Sequence, residues 1–302
     1  MDKKPNFFIV GTAKSGTTTL YYHLSKHKDV FFSKHKEPYF FSTKYVNLPH
    51  NGPEDNINDE RRKKLSSINH YLKLFVNAKD QKILAEASTD YLYYSKTAND
   101  ISKFNPNSKI LIVLRNPIER AFSAYYHQVN KGRETLSFSD ALKKEESRIE
   151  NNFSFIWRYK QMGLYSKQIQ HYLNVFPSEN IKILLFDDIK NDVNKVIKEI
   201  LNFLEIDTKL YVDKSVKQRV TGIHKNKTIN YLFEKPNAVK RIFKSIIPLK
   251  IRSKLKNNIS NWNIKKPEMS ISDRKYLIDY FKNDIKLTEN IIGRDLSSWI
   301  NE

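Results

Sequence analysis

The segment NFFIVGTAKSGTTTL, residues 6 to 20, constrains this chain more than any other: an apolar run feeds a hydroxyl-rich loop bracketed by Gly11 and Gly16, and a helix-like stretch follows. A strand, a tight loop and a helix start, in that order, make an anion site. Backbone N–H groups at a helix N-terminus lack intrahelical partners and lie at the positive end of the helix dipole, and small residues let a phosphate approach closely. The spacing of Gly11 and Gly16 is that of a nucleotide P-loop, but that pattern places Lys directly after the second glycine, where this chain has Thr17. The only lysine of the loop is Lys14, ahead of Gly16. A nucleoside triphosphate needs the later lysine at its terminal phosphates and a strand-end Asp for its metal. A loop whose lysine has moved forward suits a shorter anion.

A second segment, KILIVLRNPIERAFSAYYH (109 to 127), repeats the theme with different chemistry. A buried-type strand, Ile110 to Leu114, ends in Arg115; Asn116-Pro117 then opens a helix that carries Ser123 and, one turn later, His127. A strand-end arginine offers a planar fork to phosphate oxygens, and the Ser123 hydroxyl can add a hydrogen bond to the same group.

Together these segments resemble the two phosphate sites of sulfotransferases that use 3′-phosphoadenosine 5′-phosphosulfate (PAPS). The first is similar to the family's 5′-phosphosulfate loop and the second to its 3′-phosphate site. SKHKEPYFFS (33 to 42) is similar to the Lys-Glu-x-x-Phe-Phe segment of the carbohydrate branch, here carrying Lys36 and Glu37. EASTDY (86 to 91) falls where related enzymes carry Glu-x-Ser-Pro-x-Tyr, with Thr89 in place of the Pro. MGLYSKQIQHYLNVFPSENIKILLFDDIKND (162 to 192) and IIGRDLSSWI (291 to 300) extend the likeness almost to the end of the chain.

The resemblance implies a role for each matched residue. Lys14 would neutralise the bridging oxygen of the donor; Ser15, Gly16, Thr17 and Thr18 would cradle the 5′-phosphate; Arg115 and Ser123 would hold the 3′-phosphate. Glu37 matches the family's proposed general base, and His127 matches a histidine proposed to assist proton transfer in glycan N-sulfotransferases. TGIHKNK (221 to 227) is the candidate for the loop that caps the nucleotide, with Lys225 contacting the 3′-phosphate or adenine. The reaction implied is transfer of a sulfuryl group from PAPS, as co-substrate and without a required metal, to a hydroxyl or amino group. The acceptor implied is a carbohydrate, such as a polysaccharide or a lipid-linked sugar.

The predicted elements agree with an α/β fold: a P-loop-like parallel sheet flanked by helices on both faces, in a single domain. Strands are expected at 6–10, 82–86, 109–114 and 181–185, with a short extended piece at 30–33. Helices are expected at 17–27, 61–76, 95–104, 117–130, 139–148, 164–175, 192–204 and 272–291, the last starting at Ser272. Residues 43–61 read as an exposed loop. The core is expected over about 1–207, followed by a basic cover over about 208–302 that weakens in pattern between 208 and 270. Asp187 and Asp188 read as helix-capping residues, and His23, His27 and His171 as structural ones.

With no cysteine, disulfides, thiolate zinc sites and a Cys nucleophile are excluded together. The N-terminal MDKKPNFF runs into the first strand with no leader-like apolar stretch, and no run approaches the roughly 20 apolar residues that span a bilayer. The expectation is a cytoplasmic protein, with peripheral membrane contact left open. A formal charge of +20 raises a nucleic-acid-binding module as an alternative, but lysine outnumbers arginine more than threefold and the lysines are spread along the chain. The charge instead suits recruitment of a polyanionic co-substrate, and no specific nucleic acid is expected. A P-loop kinase or NTPase is the other alternative, and it lacks its lysine at position 17.

Overall fold

The computed structural model describes residues 3–209 and 267–301, together with two short strands at 223–224 and 264–265. Five parallel strands form one sheet: β1 (Phe7–Gly11), β2 (Val30–Phe32), β3 (Ile83–Ala87), β4 (Lys109–Leu114) and β5 (Ile181–Leu185), in the order β2-β3-β1-β4-β5. Side chains alternate across it. Phe7 and Ile9 pack on one face with Leu20, Leu24, Ile197 and Leu201, while Phe8 and Val10 face Ile118, Tyr172, Leu277 and Phe281 on the other. A sheet buried on both faces needs continuous apolar strands, as β1 and β4 are, and it needs a helical layer on each side. Helices α1 (Thr17–Leu24) and α10 (Val193–Phe203) contribute one layer; α5 (Pro117–Asn130), α8 (Tyr165–Val175) and α11 (Ile271–Ile292) contribute the other.

The strand order places the functional site. The chain leaves β1 toward β2 on one side, and leaves β4 toward β5 on the other, so the adjacent carboxyl ends of β1 and β4 form the switch point where open α/β sheets bind ligands. Thr12 N–H donates to Val113 O at 2.9 Å, tying the first loop to the neighbouring strand end. Among the described residues no helix is long and apolar enough to cross a membrane.

Several expected elements are corrected. The stretch 61–76 is not one helix: α2 covers Asn56–Lys64 and α3 covers Ile68–Leu72, followed by a 3-10 turn at Lys73–Phe75. Ser67 is the reason, because its backbone is extended (ψ 146°) and its hydroxyl caps the His70 N–H, restarting the helix. Residues 43–61 accordingly contain most of α2 and are not an exposed loop. The span 139–148 divides into α6 (Phe138–Lys143) and α7 (Glu145–Glu150). The last helix is capped by Ser270, which accepts from Asp273 N–H at 3.1 Å, rather than by Ser272. Helices α4 (Thr97–Phe104) and α9 (Phe186–Asn191) complete the set, α9 being one that periodicity did not reveal. At its start Asp188 accepts from Leu185 N–H at 3.2 Å, the capping role expected of it. His27 is buried and bonds Asp207 O at 2.8 Å, as a structural histidine does.

Candidate active site

The first loop is shaped by two glycines with different jobs. A Cβ on Gly11 would lie 2.6 Å from Leu92 Cβ, so only glycine lets β1 end against that neighbour. Gly16, at φ 85°, is the N-cap of α1 and offers no side-chain cap to the first N–H groups of the helix; Thr19 N–H bonds Gly16 O at 2.9 Å, and the helix start ahead of it faces the loop uncapped. Lys14 also has positive φ (73°), so the backbone reverses sharply on both sides of Ser15. The Ser15 hydroxyl is buried and finds no hydrogen-bond partner among the described residues. Such an orphaned donor, beside an uncapped helix start that carries no acidic side chain in its first turn, fits a phosphate group. Thr17 is buried and Thr18 is exposed.

Arg115 stands at the end of β4 and reaches across to this loop. Its Nη1 donates to Lys14 O at 2.9 Å, and its guanidinium lies 4.7 Å from the centre of the Phe186 ring. Phe186 also borders Gly16, where an added Cβ would come within 3.0 Å of the ring. One phenyl ring therefore packs against both anion motifs. Burial lowers the Arg115 pKa from its ordinary value, yet guanidinium keeps its proton throughout the working range. Among the described residues it makes no ion pair with a carboxylate, which leaves its charge for a ligand. The Tyr165 hydroxyl donates to Arg115 O at 2.8 Å and fixes this strand end. Helix α5 starts at the Asn116 cap, whose side chain accepts from Ile118 N–H at 3.0 Å, with Pro117 in the first turn. Along this helix Ser123 is buried and His127 is exposed.

Glu37 lies on the other flank of the loop. Its N–H donates to Ala87 O at the end of β3 (2.9 Å), and its carboxylate receives Lys36 Nζ at 3.0 Å and the Thr89 N–H at 2.9 Å. The Thr89 hydroxyl lies 3.1 and 3.2 Å from the two Glu37 oxygens. Residues 37–42 and 86–91 are joined at almost every step: Tyr39 N–H to Ser88 Oγ at 3.1 Å, Phe41 N–H to the Tyr91 hydroxyl at 3.2 Å, and Ser42 Oγ to Asp90 Oδ2 at 2.8 Å. Asp90 also receives Arg62 Nη2 at 2.5 Å, in a pair with both side chains almost wholly buried. Glu86 is buried as well, accepting from Tyr71 and, at 2.7 Å, from Ser88 Oγ; burial pushes its carboxyl up to about 7. Beyond Tyr39, an apolar cluster with Phe155 and Met162 packs against Ala13 of the loop and the half-buried Tyr93 and Tyr94. The Tyr93 hydroxyl meets Arg158 and donates to Gln161 Oε1 at 2.7 Å.

Of the residues singled out from sequence, the fold joins Lys14 to Arg115 directly. It sets Ser15, Gly16, Thr17 and Thr18 around one turn, and ties Glu37 to the end of β3, the strand beside β1. Ser123 and His127 share α5 with different exposure, and Lys225 lies outside the described residues. Sequence reasoning missed Phe186, Arg62, the Tyr93–Arg158 wall and the bonds that Thr89 makes to Glu37. The EASTDY resemblance pointed toward Thr89; the others carried no local signal. Among the described residues no cluster of three or more His, Asp and Glu is placed to hold a metal ion.

An open parallel sheet with two anion motifs meeting at its switch point defines a P-loop-like α/β fold. The chain belongs to the sulfotransferase family, whose domain model matches residues 4–289. A sulfotransferase from Alicyclobacillus acidocaldarius is 33% identical over 99% of each chain, with a TM-score of 0.79. The membrane-associated sulfotransferase kil1 of Dictyostelium discoideum is 24% identical over 67% of this chain and 56% of its own length. Human carbohydrate sulfotransferase 15 is 25% identical over 67% of this chain and 44% of its own length. The chain thus spans about half the length of these curated relatives.

Proposed function

We propose that this chain transfers a sulfuryl group from PAPS to a hydroxyl or amino group of a carbohydrate. The observation that supports the reading is the Arg115–Lys14 hydrogen bond, made between two anion motifs that stand at the ends of the adjacent strands β1 and β4. PAPS supplies the sulfuryl group through a phosphate–sulfate anhydride, from which adenosine 3′,5′-bisphosphate departs as the leaving group.

In this reading the loop from Ser15 to Thr18 holds the 5′-phosphate, and Arg115 with Ser123 holds the 3′-phosphate. Lys14 stabilises the charge that develops on the bridging oxygen as the old S–O bond breaks. Glu37 takes the acceptor's proton as the new bond to sulfur forms, with His127 assisting. Lys225 contacts the 3′-phosphate or adenine. Family membership supports the reaction class. The carbohydrate acceptor, whether a polysaccharide or a lipid-linked sugar, is supported by the relative named a carbohydrate sulfotransferase. It is supported also by Tyr93 and Tyr94 beside Ala13, whose half-buried rings suit the apolar face of a sugar. Placement in the cytoplasm belongs to the same proposal.

The test is transfer of radiolabelled sulfate from PAPS to a panel of desulfated glycans. Label should appear on a glycan, and Lys14→Ala should lower turnover about a thousandfold, the scale of losing a main charge-stabilising group. Labelling of no glycan together with phosphate transfer from ATP would overturn the proposal.

A further inference from the structure

Glu37 has φ 60°, and Tyr39, also at φ 60°, shares that left-handed backbone. Non-glycine residues persist in this region only where their surroundings over-determine them, and they cluster where geometry serves function. Here the surroundings are the EASTDY segment, which bonds the N–H groups of Glu37, Tyr39 and Phe41 in turn. Lys36 is the carboxylate's sequence neighbour and half-exposed; Thr89 is different, being 5% exposed and reaching Glu37 from a separate strand end.

We infer that Thr89 is a positioning residue, whose backbone N–H and hydroxyl together fix the Glu37 carboxylate toward the acceptor. The inference rests on the reading of Glu37 as the base. Proline at this position, as in the Glu-x-Ser-Pro-x-Tyr pattern, has neither donor, so this chain holds its carboxylate by a device that pattern cannot supply. A carboxylate accepting on both oxygens from one rigid residue has its rotation about the terminal bond removed. Its remaining lone pairs then point in one set of directions, which is what in-line transfer requires of a base.

Two measurements test this on the full chain. Amide hydrogen exchange reads the bond without any acceptor: Thr89 N–H should exchange about tenfold faster in Glu37→Ala than in wild type, the scale of losing a charge-assisted hydrogen bond. Turnover is read as PAP release from PAPS, which counts transfer to every acceptor including water, with desulfated heparin present. Thr89→Val should lower kcat about tenfold, Thr89→Pro about a hundredfold, and Thr89→Ser should stay within about twofold of wild type. The KM for PAPS and PAP affinity should not move in any of the three, which a merely structural role would not spare. Wild-type kcat in Thr89→Val and Thr89→Pro, alongside an inactive Glu37→Gln, would overturn the Thr89 role alone. Wild-type kcat in Glu37→Gln would overturn the base assignment and the Thr89 role with it. Unchanged Thr89 exchange in Glu37→Ala would remove the hydrogen bond itself.

Discussion

The two flanks of the first loop are built in opposite ways. On the Arg115 flank, each motif is a contiguous strand, turn and helix start, and the sheet needs only to set two such units side by side. On the Glu37 flank, the geometry comes from residues far apart in sequence: Glu37 with Thr89, Ser42 with Asp90, Arg62 with Asp90, and Tyr71 with Glu86. In the proposed reading, local geometry places the co-substrate, whereas long-range polar contacts place the base. Damage to the second flank should therefore leave nucleotide binding in place while removing transfer.

The strongest way to break this contrast is Arg62→Met. It leaves Asp90 buried without its cation, and removing one partner of a buried pair costs about 3–5 kcal/mol. Urea denaturation should show that loss and turnover should collapse, with PAP affinity retained at temperatures where the variant is folded. Equal loss of PAP affinity would show that the two flanks are one unit.

A second, somewhat smaller effect follows from Glu86. Its folded-state pKa is raised from 4.5 to about 7 by burial, so between those values the folded protein holds a proton that the unfolded chain has released. Stability from this group is present at low pH and is lost as pH rises through that window, by on the order of 3 kcal/mol. Glu86→Gln should flatten that decline between pH 5 and pH 8 in denaturation experiments. An unaltered slope would take Glu86 out of the account.

The smallest effect sharpens the comparison from the Arg115 flank. Arg294 pairs with Asp188 at 2.7 and 3.0 Å on the surface near Phe186. Exposed pairs contribute about 0–1 kcal/mol, so Arg294→Ala should shift stability by about 0.5 kcal/mol and leave PAP affinity unchanged.

The same contrast explains what was legible in the sequence. The strand–loop–helix at 6–20 and the strand ending in Arg115 are read correctly because their apolar runs, glycines and Asn-Pro start act locally. Helix α2 was hidden because it has no apolar stripe. Its sequence is NINDERRKK, and its buried side chains are Asp59 and Arg62, satisfied by His50 at 2.6 Å and by Asp90. A helix held by buried polar pairs leaves no mark in hydrophobic spacing. Conversely, Leu65, Ile68, Leu72 and Phe75 match a helical repeat by coincidence: Ile68 is 43% exposed and Ser67 interrupts the run. Glu37 could be located by resemblance, but its partners became visible only when β3 was placed beside it.

The central claim is that the Lys14 loop and Arg115 grip one nucleotide from its two phosphates. Calorimetry with adenosine 3′,5′-bisphosphate and adenosine 5′-phosphate, on wild type and Arg115→Ala, tests it most directly. Wild type should bind the bisphosphate at least about tenfold more tightly, the value of a charge-assisted contact, and Arg115→Ala should erase that preference while still binding the monophosphate. A preference that survives intact in Arg115→Ala would contradict the account.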